Sequence, residues 1–245
     1  MPPVQVVPDY AAMSEAAAAI VAATVAQHPG CAIALPTGST PLGMFKALIE
    51  RVERGDLDFA ALNTQFFCLD EYVGVTPDDP NSLTGWLYRV FMDPARIPRA
   101  SIHRVPSDAP DPVAAADVYE ADLAAHGGLK LAVLGLGPNG HIAYNEPGSP
   151  ADSRTRVLTL TPESIAQATA YWAPGNTTPE TAITIGVATL LEAERIVLIV
   201  SGAAKAEKLR QSLKDAPSAD VPASWLQLVA DKTLVIADEA AAAKL

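Results

Sequence analysis

The feature that most restricts this chain is an alternation of short, almost uninterrupted apolar runs with longer amphipathic or alanine-rich segments. A strand with one face in water carries a polar residue at every second position. A run that is apolar throughout fits a strand covered on both faces. The runs Cys31–Leu35, Thr64–Leu69, Lys130–Leu136, Arg156–Leu160, Arg195–Ser201 and Thr233–Ala237 read as such strands. The segments Ala11–Gln27, Leu42–Arg54, Ser82–Phe91, Pro112–Ala125, Ala203–Leu213 and Ala223–Leu228 read as helices. The pattern predicts an α/β fold with a mostly parallel sheet flanked by helices on both faces. No repeat, low-complexity linker or compositional break interrupts it, so residues 1–245 read as one domain.

Two proline-rich stretches, Val75–Asn81 and Ala173–Pro179, read as loops. The second follows a short helical segment around Ser164–Tyr171, and the two together read either as a helical flap or as a surface connection.

The net charge of −11 makes nucleic acid and anionic membranes poor partners. It leaves room for a phosphorylated small molecule, because backbone amides and one or two cations can hold phosphate inside an acidic protein. Cys31 and Cys68 both fall in apolar strands and read as buried, reduced thiols. The sequence shows no secretory signal and no apolar run long enough to span a bilayer, so a cytoplasmic protein is expected.

The chemistry concentrates in Gly135-Leu-Gly-Pro-Asn-Gly-His141-Ile-Ala-Tyr-Asn-Glu146-Pro147, which directly follows the apolar run Leu129–Leu134. A buried strand that empties into glycines and then presents His, Asn and Glu is poorly suited to packing. It suits a site at the carboxyl edge of an α/β sheet. His141 can carry a proton near neutral pH, and Glu146 is near enough in sequence to orient it.

Three further segments fit the same edge. Thr37-Gly38-Ser39-Thr40-Pro41 joins a strand to a helix; its amides and hydroxyls can hold phosphate, or its hydroxyls can simply cap the helix. It matches neither a Walker A loop nor a G-x-G-x-x-G turn. Asp70-Glu71 ends an apolar strand, and side-chain alternation sends only one of the pair into a cleft. A partly desolvated carboxylate there can act as a base toward a carbon acid, or it can cap a turn. Lys205, in the first turn of a helix, opposes the helix dipole and makes sense beside a bound anion or as a solvated side chain. His28, His103 and His126 read as structural, and no His, Cys or Asp spacing resembles a zinc site.

In this order and spacing, Pro36-Thr-Gly-Ser-Thr-Pro41, Leu69-Asp-Glu-Tyr-Val-Gly74 and Gly140-His-Ile-Ala-Tyr-Asn-Glu-Pro147 resemble the glucosamine-6-phosphate deaminase family, within a wider group that includes 6-phosphogluconolactonases. Asn145-Glu146-Pro147 and Ser153-Arg-Thr-Arg156 favour the deaminase branch. The resemblance implies a single-domain, Rossmann-like sheet and conversion of glucosamine 6-phosphate to fructose 6-phosphate and ammonia. No cofactor and no metal are implied. Asp70 would move the C2 proton to C1, and His141 would assist ring opening, tuned by Glu146 and Asn139. Thr37, Gly38, Ser39, Thr40 and Lys205 would grip the phosphate of the sugar-phosphate substrate.

The chain departs from the family at three places. Asn139 stands where some members carry Asp. Ala170 stands where the flap usually supplies an arginine to the phosphate, which implies a shifted grip or a different sugar phosphate. Pro150 and Leu158 replace a serine and a lysine of allosterically regulated members, and the chain ends early, so allosteric activation is not expected. The alternatives are a lactonase or another sugar-phosphate isomerase, and a non-enzymatic sugar-phosphate sensor. The resemblance leaves both a monomer and a homo-oligomer open.

Overall fold

The computed structural model describes residues 1–169 and 178–245. In chain order the described elements are β1 (Val4–Val7), α1 (Tyr10–Gln27), β2 (Ala32–Leu35), α2 (Leu42–Glu53), β3 (Gln65–Cys68), β4 (Asp70–Tyr72), α3 (Leu83–Leu87), β5 (Ile102–His103) and α4 (Pro112–Ala125). They continue with β6 (Leu129–Gly135), β7 (Arg156–Thr159), α5 (Pro162–Thr169), β8 (Thr181–Thr184), α6 (Val187–Leu191), β9 (Ile196–Val200), α7 (Ala206–Lys214), β10 (Thr233–Asp238) and α8 (Glu239–Ala242).

Among the described residues, seven strands form one sheet in the order β1-β10-β9-β6-β2-β3-β5. Every pairing in it is parallel. Every residue of β2, β3 and β9 is buried, so both faces of the sheet are covered, as the unbroken apolar runs predict. Phe45, Phe59, Phe66 and Phe91 interlock beside β3, with Phe45 and Phe91 stacked at 4.6 Å between ring centroids. Cys31 and Cys68 are free thiols, and burial pushes Cys68 up to about 12.

The sheet order sets the site. The neighbours β9, β6, β2 and β3 are parallel, so their carboxyl ends lie side by side along one edge. The four chemistry-bearing segments are the continuations of those four strands. Separation in sequence becomes adjacency in space for that reason alone.

Several sequence expectations need correction. Arg156–Leu160 was expected in the parallel sheet; residues Arg156–Thr159 instead pair antiparallel with β8 in a second sheet, ordered β4-β8-β7. β4 joins it antiparallel, with Asp70 opposite Thr184, so the chain changes sheets across Leu69 alone. The helix expected over Ser82–Phe91 is α3, capped by the Ser82 hydroxyl on the Gly85 amide, followed by a π-helical turn at Tyr88–Met92. Ala203–Leu213 splits into a 3-10 turn at Ala203–Lys205 and then α7, and Ala223–Leu228 lies in a 3-10 helix, Pro222–Val229. The helical part of the expected flap is α5, whereas Ala170 and most of Ala173–Pro179 lie outside the described residues. No described helix is long and apolar enough to cross a membrane.

Candidate active site

Along the carboxyl edge of the sheet lies a cavity of about 350 Å³, within the range of small-molecule sites. Thr37, Gly38, Ser39, Thr40, Asp70, His141 and Lys205 all line it. Asn139 and Glu146 do not; they stand behind His141 and act on it.

The turn after β2 is built to present unbonded polar groups. Gly38 sits at φ +96°, a conformation that favours glycine. The Tyr10 hydroxyl donates to the Ser39 carbonyl (3.2 Å) and accepts from the Gly43 amide (2.7 Å), which ties the turn to the start of α1. α2 starts without a side-chain cap, so the capping role of Ser39 and Thr40 is not the one they play. Among the described residues, the Thr37, Ser39 and Thr40 hydroxyls make no hydrogen bond to protein while facing the cavity.

Lys205 faces the same space from the turn after β9. It is half-buried, pairs with no carboxylate among the described residues, and burial lowers its pKa. Gly202, at φ +91°, makes the turn, and its amide donates to Asp238 at 3.0 Å, fixing the backbone that leads to Lys205. A desolvated cation opposite free hydroxyls is complementary to a dianionic phosphate.

Alternation along β4 separates the two acids after β3. Glu71 turns away from the cavity and accepts from the Ser82 hydroxyl, the Leu83 amide (3.0 Å), the Thr84 amide (2.9 Å) and the Tyr72 amide (3.0 Å). Burial still raises its pKa despite these bonds. Asp70 turns into the cavity although it is only 7% exposed. Burial, with the neighbouring Glu71 charge, pushes it up to about 7 against the Tyr144 amide. A carboxyl poised there can take and return a proton at neutral pH.

His141 is held on three sides. Its amide donates to Asn139 Oδ1 (3.2 Å), its Nδ1 lies 3.2 Å from Ser164 Oγ and 3.4 Å from Glu146 Oε2, and its ring lies flat against Gly137. A Cβ at residue 137 would come within 2.1 Å of the His141 ring, so only glycine admits it. Burial opposes ionisation of Glu146, but bonds from His141, Ser164 and Asn139 together with the His141 charge bring it down to about 2. Glu146 is therefore a carboxylate that can only accept, so Nδ1 carries the proton toward it. Nε2 has no hydrogen-bond partner in the protein among the described residues.

Behind this loop, Asn145 donates to the carbonyls of Ile142 (3.0 Å) and Ile185 (2.8 Å) and accepts from Arg156 (2.9 Å). The Asn-Glu pair thus divides its work: Asn145 fixes the loop backbone and Glu146 fixes the imidazole.

Sequence reasoning missed Gly137, Thr161, Ser164 and the Tyr72–Tyr144 pair, whose hydroxyls meet at 2.8 Å beside Asp70 in the cavity wall. Thr161 supplies its amide and hydroxyl to Glu146 (3.2 and 3.3 Å) from the start of α5. Thr161-Pro162-Glu163-Ser164 carries a helix-start signature that marks this element's position, though not its partner.

Comparison with known proteins places the chain in a family. Residues 9–235 match the family of glucosamine-6-phosphate isomerases and 6-phosphogluconolactonases. A glucosamine-6-phosphate deaminase of Shewanella loihica is 39% identical over 237 residues, covering 97% of this chain and 87% of that protein. One from Thermoanaerobacter pseudethanolicus is 38% identical over 233 residues, covering 95% and 91%. A solved monomeric glucosamine-6-phosphate deaminase superposes with a TM-score of 0.94 at 34% identity, covering 99% of this chain and all of that one. The 6-phosphogluconolactonase of Trypanosoma cruzi, at TM-score 0.76 and 22% identity over 100% of this chain and 97% of that one, shares the fold.

Proposed function

The chain belongs to the glucosamine-6-phosphate isomerase/6-phosphogluconolactonase family, and on that premise we propose that it is a glucosamine-6-phosphate deaminase. It converts glucosamine 6-phosphate and water to fructose 6-phosphate and ammonia. The observation that carries this reading is the meeting of three groups around one cavity: an unpaired cation with free hydroxyls, a carboxyl near pH 7, and an oriented imidazole. The relatives at 38–39% identity are named deaminases, which favours deamination over lactone hydrolysis.

Each side chain has a chemical task in this reading. The Thr37–Thr40 turn and Lys205 hold the phosphate and leave the sugar carbons toward Asp70 and His141. His141 Nε2 takes the proton of the C1 hydroxyl and hands it to the ring oxygen as the C1–O5 bond breaks, leaving a C1 aldehyde and a C5 hydroxyl. Asp70 then removes the C2 proton, acidified by the new C1 aldehyde, giving an enolamine. The proton returns to C1, leaving an iminium at C2; water adds there and ammonia departs. Glu146 stabilises the imidazolium that forms on His141, while Asn139 and Ser164 keep the ring in place.

The test is production of ammonia and fructose 6-phosphate from glucosamine 6-phosphate by pure protein, with 6-phosphogluconolactone assayed alongside. Turnover lost in Asp70→Asn supports the reading. Lactone hydrolysis exceeding deamination, or an unaffected Asp70→Asn, overturns it. The reading extends to a monomer in the cytoplasm, the solved deaminase being described as monomeric. Light scattering after gel filtration and cell fractionation check both points.

A further inference from the structure

A second cluster of chemically active side chains lies away from the cavity, at the edge strand of the parallel sheet. His103 is on β5, while Asp122 and His126 stand one helical turn apart at the end of α4. None of the three lines the cavity. One ligand atom from each lies within 4.8 Å of the others.

The hydrogen-bond directions around His103 can be worked out. The Gln65 amide nitrogen donates to the Asn63 carbonyl (2.8 Å) and to Asn63 Oδ1 (3.1 Å), so Gln65 Oε1 is the atom that faces His103 Nε2 at 3.1 Å. A carbonyl oxygen can only accept, so Nε2 carries a proton. The other ring nitrogen, Nδ1, lies only 2.6 Å from Asp122 Oδ2. Two such electron-rich atoms this close have a proton or a metal ion between them. A second imidazole meets the same carboxylate, with His126 Nδ1 3.3 Å from Asp122 Oδ1. No lysine or arginine pairs with Asp122 among the described residues.

We propose that His103, Asp122 and His126 form a binding site for a divalent transition-metal ion of the zinc type, with water completing the coordination. Two imidazoles and one carboxylate match the ligand preference of such ions. An acid and a histidine at i and i+4 on one helix face, joined by a histidine from a neighbouring strand, supply three ligands from two elements. The Gln65 contact to Nε2 is the outer hydrogen bond that commonly fixes a ligating histidine in its tautomer. Phe67 stacks on the His103 ring at 4.2 Å and the His126 ring packs edge-on against it, so His103 is held ready.

Binding needs local adjustment. Ligand atoms around tetrahedral zinc are roughly 3.4 Å apart, so His103 and Asp122 open slightly from 2.6 Å. His126 releases the Asp122 carbonyl that its Nδ1 now contacts at 2.9 Å. Both Asp122 and His126 are partly exposed at a helix end, where such movement is easy. The ion would fasten α4 to the sheet edge and stabilise the fold without entering the reaction.

The test is zinc titration of chelator-treated protein by calorimetry, with metal content measured after gel filtration and melting followed with and without zinc. The expected result is one equivalent bound and a melting temperature raised by roughly 5 °C at about 100 times Kd. Affinity should fall at least about tenfold in both His126→Ala and Asp122→Asn, which remove surface ligands from a helix end. The His28→Ala control should bind like the parent, and deamination should be unchanged in all three variants. Absence of stoichiometric binding, or binding that survives in both ligand variants, overturns the site.

Discussion

Asp70 and Glu71 are adjacent carboxylates with opposite fates: Glu71 accepts three hydrogen bonds from α3 and its approach and a fourth from the Tyr72 amide, while Asp70 faces the cavity with the Tyr144 amide as its single bonding influence. One residue holds the local fold and the other is left free for chemistry, and strand alternation alone separates them.

For Asp70, activity requires the carboxylate, so kcat/KM should fall about tenfold per pH unit below its pKa of about 7. Asp70→Asn should lower kcat by roughly 100- to 10,000-fold. Its effect on stability has the opposite sign. Between the ordinary 3.8 and about 7, the folded chain holds a proton here that the unfolded chain releases, so stability declines as pH rises through that window. Asp70→Asn should therefore melt higher than the parent at pH 8 and about equally below pH 4. Paired melting curves at the two pH values check this, and a uniform loss of stability would refute it.

Glu71→Ala should behave as a folding defect. It leaves the Ser82 hydroxyl, two buried amides and a part-buried one without their acceptor, a loss of about 2–4 kcal/mol. Denaturant titration should show the lowered midpoint, and protein still folded at low temperature should keep its pH profile.

Gly137→Ala places a methyl group 2.1 Å from Cδ2 and 2.2 Å from Nε2 of His141. The imidazole has to leave its seat beside Ser164 and Glu146, so kcat should drop by more than about tenfold while KM changes little. Steady-state kinetics on a variant with parent-like circular dichroism distinguishes this from general damage.

Lys205→Met removes the half-buried cation and keeps most of the apolar stem. KM for glucosamine 6-phosphate should rise roughly 10- to 100-fold with kcat within a few-fold, the signature of lost phosphate binding. Inorganic phosphate should inhibit the parent more strongly than the variant; equal inhibition would remove Lys205 from the phosphate site.

What the sequence determined by itself was the parallel sheet and the positions of the loops that line its cavity. Runs such as Ile196–Val200 are apolar at every residue because both faces of their sheet are covered, and glycines such as Gly38 and Gly202 mark backbone that other residues rarely adopt. Tertiary structure decided the rest. β4 and β5 are too short to carry a periodic signal, so the second sheet could not be read before pairing was known, and the residue pattern alone left Asp70 and Glu71 open, the family resemblance favouring Asp70. Ser164 reaches His141 across 23 residues and His103 reaches Asp122 across 19, contacts that arise only when folded elements pack. Local periodicity reports which face of an element is buried, while the identity of the partner across the gap depends on where the whole chain closes.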